Sequence, residues 1–94
     1  MILKKSNRFN EELQTIILFI ALDNPHRAVK FFDDIISIIS DIPFNPFIHR
    51  QRKSSNDIHI RELIFKGYTI PYYIDIEKDK IIILGIFNKN QWKD

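Results

Sequence analysis

Residues 58–76 read IHIRELIFKGYTIPYYIDI, and the fold turns on this stretch. Two apolar runs, Ile58–Phe65 and Tyr68–Ile76, are separated by little more than Gly67, which suits a tight hairpin. In the second run Tyr68, Ile70, Tyr72, Ile74 and Ile76 occupy alternate positions, so one strand face is a continuous apolar row. Pro71 sits inside that strand. It has no N–H to donate to a ladder, so a bulge or an unpaired edge is expected there. Onward, Glu77–Lys80 is a second short connection, leading to Ile81–Phe87. That run is apolar on both faces, as a central strand would be.

Upstream, the period changes from two to that of a helix. Asn45–Asp57 reads as a loop, and Pro43 and Pro46 stop whatever helix precedes it. Before them Ala28, Val29, Phe32, Ile35, Ile36, Ile39 and Ile42 form a helical stripe. Asn24 is a good cap for this helix, and Pro25 suits its first position, where a missing N–H costs nothing. An earlier stripe holds Phe9, Leu13, Ile16, Ile17 and Ile20, capped by Ser6 or Asn7, with Glu11 and Glu12 placed favourably for the helix dipole. Leu18, Phe19 and Leu22 make the opposite side of this helix apolar too. Such a helix is either deeply packed or receives a partner. A turn as short as Asp23-Asn24-Pro25 makes the two helices an antiparallel hairpin. Met1–Lys5 reads as a first strand. The expected class is α+β: an N-terminal strand, an α-helical hairpin, then a three-stranded antiparallel sheet, all in one domain over residues 1–94.

Composition narrows the function classes. The 94 residues contain no cysteine, which removes disulfides, thiolate metal sites and cysteine nucleophiles. Two glycines, Gly67 and Gly85, cannot form a glycine-rich phosphate loop. The chain has 20 Ile against one Val and two Ala, so β-branched residues are poor strand markers here and periodicity must decide. The longest apolar stretch, Ile16–Leu22, is far short of a membrane span, and Met1-Ile-Leu-Lys-Lys has the wrong order for a secretory signal. A cytoplasmic protein without membrane contact is expected. His26, His49 and His59 are scattered and Asp33-Asp34 reads as a solvated face, so neither a metal nor any other cofactor is expected.

Charge is unevenly spread. The net +2 divides into −1 for residues 1–48 and +3 for residues 49–94. The densest basic run is His49-Arg50-Gln51-Arg52-Lys53, either a solvated loop or a grip on phosphates. Arg61 lies between Ile60 and Leu63 in an apolar strand, so it must be paired or face a cleft. Spacing favours a sheet-surface salt bridge with Glu62 or Asp75; the alternative is an anion-facing guanidinium. Trp92, near a polar C-terminus, reads as folded back on the core or as a stacking platform.

Together these segments resemble the RelE/ParE superfamily of toxins. Asn24-Pro25-His26-Arg27-Ala28 is similar to its inter-helix turn. Ile60-Arg61-Glu62-Leu63, Gly67-Tyr68-Thr69-Ile70 and Tyr72-Tyr73 are similar to its strands, and Ile83-Leu84-Gly85-Ile86-Phe87 to its last strand. The order matches across essentially the whole chain. The resemblance implies the toxin half of a bacterial type II toxin–antitoxin pair, held in a complex by a cognate antitoxin. Leu18, Phe19 and Leu22 would suit that antitoxin. One branch of the superfamily cleaves mRNA on the ribosome; the other, ParE-like, inhibits DNA gyrase. For the nuclease branch the resemblance would make Arg61 the phosphate-stabilising group and Lys89 the base, with Arg50, Arg52, Lys53 and Lys66 on the RNA. Asn88 stands where many members place a His, and Asn cannot exchange a proton near neutral pH. The tail also offers Trp92 where a Tyr is usual. These departures favour the ParE branch, with Arg50, Arg52, Lys53, Lys66, Asn88 and Trp92 as target-binding candidates. A binding module that keeps the fold without the toxicity is the remaining alternative.

Overall fold

Ser6 opens the helical part of the chain. In the computed structural model, which describes residues 1–88, its Oγ accepts the Phe9 N–H at 3.0 Å and caps α1 (Asn7–Asp23). Glu11 and Glu12 fall in the second turn rather than the first. Asn24 alone links the helices. Its Oδ1 accepts the N–H groups of His26 and Arg27 at 3.1 and 3.2 Å, and α2 (Pro25–Ser40) starts on Pro25. A single 3₁₀ turn, Ile42–Phe44, follows.

The helices lie on a sheet of five strands: the expected N-terminal strand joins it, and four strands rather than the expected three follow the hairpin. The five are β1 (Ile2–Lys5), β2 (Arg50–Gln51), β3 (Ile60–Phe65), β4 (Tyr68–Asp75) and β5 (Lys80–Ile83), in the order β1-β5-β4-β3-β2. The three consecutive strands β3, β4 and β5 are antiparallel as expected. β1 adds itself in parallel to β5, with Leu3 beside Ile81. β2 emerges from the segment read as loop; two residues are too few to leave a period in the sequence. The β3–β4 turn has Lys66 and Gly67 at φ 49° and 82°, a two-residue hairpin turn with both residues left-handed.

Pro71 produces the expected bulge but no edge, because β4 is paired on both sides. Its carbonyl accepts the Leu84 N–H at 2.9 Å, so its missing N–H faces the same neighbour. The partner that N–H would have had, the Leu84 carbonyl, accepts the Ser6 hydroxyl at 3.0 Å instead. Two residues along, Thr69 pairs with Phe87, where the ladder running on from Tyr72–Ile83 would bring Ile86. One residue has been inserted opposite the proline.

Packing corrects the α2 stripe. Ala28, Phe31, Ile35 and Ile39 are buried, whereas Val29 and Phe32 are 62% and 43% exposed. Aliphatic residues occur around most of this helix, so several stripes fit the period and docking chooses among them. The core is Phe9 and Leu13 of α1, Phe31, Ile35 and Ile39 of α2, Ile42, and Leu63, Ile70, Tyr72, Ile74, Ile81, Ile83 and Ile86 from the sheet side. Ile16, Ile17 and Ile20 pack against it. Ile76, beyond the end of β4, is exposed.

Candidate functional site

α1 presents its second apolar side to the surface. Leu18, Phe19 and Leu22 are 59%, 75% and 88% exposed, although each could fill a core position. Troughs flank them. One of about 440 Å³ runs between α1 and the segment after β5, past Ile16, Phe19, Tyr68 and Phe87. A second, of about 510 Å³, lies between Leu22 and Arg27, and a third continues past Lys30 and Phe31 to Lys66 on the β3–β4 turn. Arg27, Lys30 and Lys66 thus border an apolar surface. Arg27 reaches Asp23 at 3.6 Å, and Lys30 and Lys66 both reach Asp34, at 3.5 and 3.7 Å. These pairs are solvent-exposed and weakly held. Glu12 closes the inner wall by accepting the Ile86 N–H at 3.1 Å.

Arg61 makes neither expected salt bridge. Its Nε donates to the Ile58 carbonyl at 2.7 Å and its Nη1 to the His49 carbonyl at 3.1 Å. The guanidinium carbon lies 5.0 Å from the centre of the Phe47 ring. Arg61 therefore ties together the two ends of the 49–58 segment. Beside it Tyr72 donates its hydroxyl to the Pro46 carbonyl at 2.6 Å, and the His49 ring meets the Tyr72 ring edge-on. Burial raises the Tyr72 phenol pKa above its ordinary value, against a smaller opposing effect of the Arg61 charge. Partial burial also lowers the His49 pKa. On the same segment Asp57 accepts the backbone N–H of His59 at 2.8 Å and contacts its ring at 3.0 Å; these bonds hold its carboxyl below the usual range.

The basic run is not a free loop either. Arg50 sits opposite Glu62 across β2 and β3. Glu62, 4% exposed, accepts Arg50 Nε at 2.8 Å on one oxygen and Arg52 Nη1 at 3.0 Å on the other. Arg52 is itself buried, with its guanidinium carbon 5.3 Å from the Phe87 ring centre. Two of the three basic side chains in the run are therefore structural, and Lys53 remains exposed. Asn88 is exposed beside Phe87 at the end of the first trough. Lys89 and Trp92 lie outside the described residues.

The structure thus brings Arg61 together with Phe47, His49 and Tyr72, a grouping sequence reasoning missed because it joins three separate segments. Glu62 as the anchor of Arg50 and Arg52 was also missed, though the two-residue spacing of those arginines is a strand-face signal. Among the described residues no group of His, Asp and Glu could hold a metal ion, and no helix is long and apolar enough to cross a membrane.

Known proteins agree with this architecture. A family model described as "ParE toxin of type II toxin-antitoxin system, parDE" matches residues 3–91. Among solved structures, the fold is similar to a chain of the "Chromosomal ParDE TA system from P. aeruginosa", with a TM-score of 0.73 and 22% identity, covering 92% of each chain. No curated protein matches the chain.

Proposed function

The chain belongs to the ParE toxin family of type II toxin–antitoxin systems, and from that premise we propose that it arrests growth by binding DNA gyrase and is neutralised by a cognate antitoxin. The geometry of Arg61 is the observation that carries the gyrase reading over mRNA cleavage. Its Nε and Nη1 donate to the Ile58 and His49 carbonyls and its guanidinium carbon lies over the Phe47 ring, so part of the fork that would grip an anion is already occupied. A phosphate-stabilising Arg needs its donors directed at open space where the anion will sit. Asn88, exposed at the position where a His would serve a nuclease, supports the same reading because an amide transfers no proton near neutral pH. The antitoxin is assigned to Leu18, Phe19 and Leu22. A row of large exposed apolar side chains bordered by Arg27, Lys30 and Lys66 matches an amphipathic segment with acidic flanks.

Purified protein added to a gyrase supercoiling assay tests the target. We expect supercoiling to stop, and induced expression to switch on a DNA-damage reporter without codon-associated mRNA cuts by primer extension. Cuts without gyrase inhibition would transfer the assignment to the endonuclease reading. Expression without growth arrest would leave the inactive binding module. For the antitoxin, Leu22→Glu is expected to weaken neutralisation by the protein encoded beside this gene by at least tenfold. Unchanged neutralisation would remove the α1 face from that role.

A further inference from the structure

We propose that gyrase is met by the face of the sheet turned away from the helices; this rests on the gyrase reading above and names the surface that the target takes. The ladder registers sort the strand residues onto two faces. Ile70, Tyr72, Ile74, Ile81 and Ile83 point towards the helices and are fully buried. Their neighbours along the chain point the other way. Ile60, Tyr73 and Ile82 lie side by side across β3, β4 and β5, and Leu84 follows Ile82, bonded to the Pro71 carbonyl. Phe87, opposite Thr69, extends this outer face. These five side chains stand apart from the core, and each keeps part of its surface in solvent. Both helices and the 3₁₀ turn pack on the inner face, so among the described residues no helix covers the outer one.

Charge selects the partner. Lys4 lies beside Ile82 and Lys80 beside Ile2, both on the outer face at its β1 side. Arg50 and Arg52 border the other side, around Glu62. With Asp75 opposite Lys80, the outer face holds four cations against two carboxylates, a net of +2 that equals the charge of the whole chain. Both carboxylates are engaged: Glu62 by the two arginines, and Asp75, whose Oδ1 accepts the Lys78 N–H at 3.1 Å. An apolar centre with a basic rim fits a protein surface that has an apolar centre and an acidic rim. A second copy fits badly, because face-to-face stacking would bring two basic rims together. Nucleic acid uses the cations but not the apolar centre, and Glu62 already takes one donor from each arginine. The sheet lies between this face and Leu18, Phe19 and Leu22, so target and antitoxin are read on opposite sides of the molecule.

Acetylation of tyrosine hydroxyls, read residue by residue by mass spectrometry, tests the proposal together with supercoiling inhibition. Tyr73 should react in the free chain and be protected at least tenfold in the gyrase complex. Tyr73→Ser should raise the concentration for half-inhibition of supercoiling at least tenfold, and Lys4→Glu, an exposed charge reversal, about fivefold. Unfolding midpoints would show that both variants keep the fold, and binding to the protein encoded beside this gene should not change. Unchanged Tyr73 reactivity in a gyrase complex that does form, or wild-type inhibition by both variants, would overturn the assignment and leave the gyrase reading standing. Protection of Tyr73 in the free chain would mean that the face is already covered, by a second copy if the mass in solution is doubled and by the chain itself if not, and the proposal would fall. Protection by duplex DNA alone, or by the neighbouring protein, would give the face to that partner instead. A wild-type chain that leaves supercoiling untouched would sink the gyrase reading, and this inference with it.

Discussion

Replacing Ser6 by alanine removes two interactions from one hydroxyl. The first is the α1 cap, the 3.0 Å bond from the Phe9 N–H, and losing such a cap costs about 1 kcal/mol. The second is the 3.0 Å bond that Ser6 gives to the Leu84 carbonyl. That carbonyl has no donor from residue 71, so its loss adds about 1 kcal/mol. Ser6→Ala should therefore destabilise the protein by about 2 kcal/mol, which in a domain of this size lowers the melting temperature by roughly 10 °C. Pro71→Ala supplies the internal control. It restores an N–H directed at the same Leu84 carbonyl, although it also disturbs a fully buried side chain. The double variant should then be less damaged than the two single variants added together, by about 1 kcal/mol. Urea unfolding followed by circular dichroism would measure all four proteins. Strict additivity, or a Ser6→Ala cost below about 0.5 kcal/mol, would refute the claim that Ser6 stands in for the proline's missing donor.

Three further outcomes follow from the same contacts. Glu62→Gln takes the charge from between Arg50 and Arg52 and should cost about 3 kcal/mol in urea unfolding, far more than loss of an exposed pair; a change under about 1 kcal/mol would mean that the arginines find water instead. Arg61→Ala should raise amide exchange across residues 49–58 while leaving β4 and β5 protected, and wild-type exchange there would show that the guanidinium does not hold the segment. The His49 pKa is lower in the folded protein than its unfolded value of 6.5, so below that pH the unfolded chain binds more protons and folding stability should fall as pH drops from neutrality. His49→Gln should flatten that part of the pH–stability profile, and an unchanged profile would remove His49 as its source.

Much of the architecture was legible because it is local. The alternation from Tyr68 to Ile74 marks a strand whatever it packs against, and Lys66-Gly67 marks its turn because a two-residue hairpin needs left-handed backbone. Asn24-Pro25 announces a helix start through one side-chain oxygen and one absent N–H. The α2 face was misread for a reason specific to this composition. In PHRAVKFFDDIISIIS, Phe31 and Phe32 are adjacent and Ile is frequent, so two stripes satisfy the helical period. Arg61 was singled out correctly as an anomalous charge, but its partners are carbonyls of residues 49 and 58, and backbone acceptors carry no sequence signature.

By itself the sequence determined the order and type of the main elements, a break in regular pairing at Pro71, the surplus apolar side of α1 and membership of the superfamily. Each depends on intervals of a few residues, where periodicity and backbone restriction act directly. Only the tertiary structure decided which charges are held and which surfaces stay open. Glu62 anchors two arginines of a run that read as either a solvated loop or a phosphate grip, β1 covers the outer side of β5, and β2 covers only part of the outer side of β3. Those results depend on meetings between residues far apart in the chain. Burial, pairing and edge exposure are properties of such meetings, and no single segment contains them.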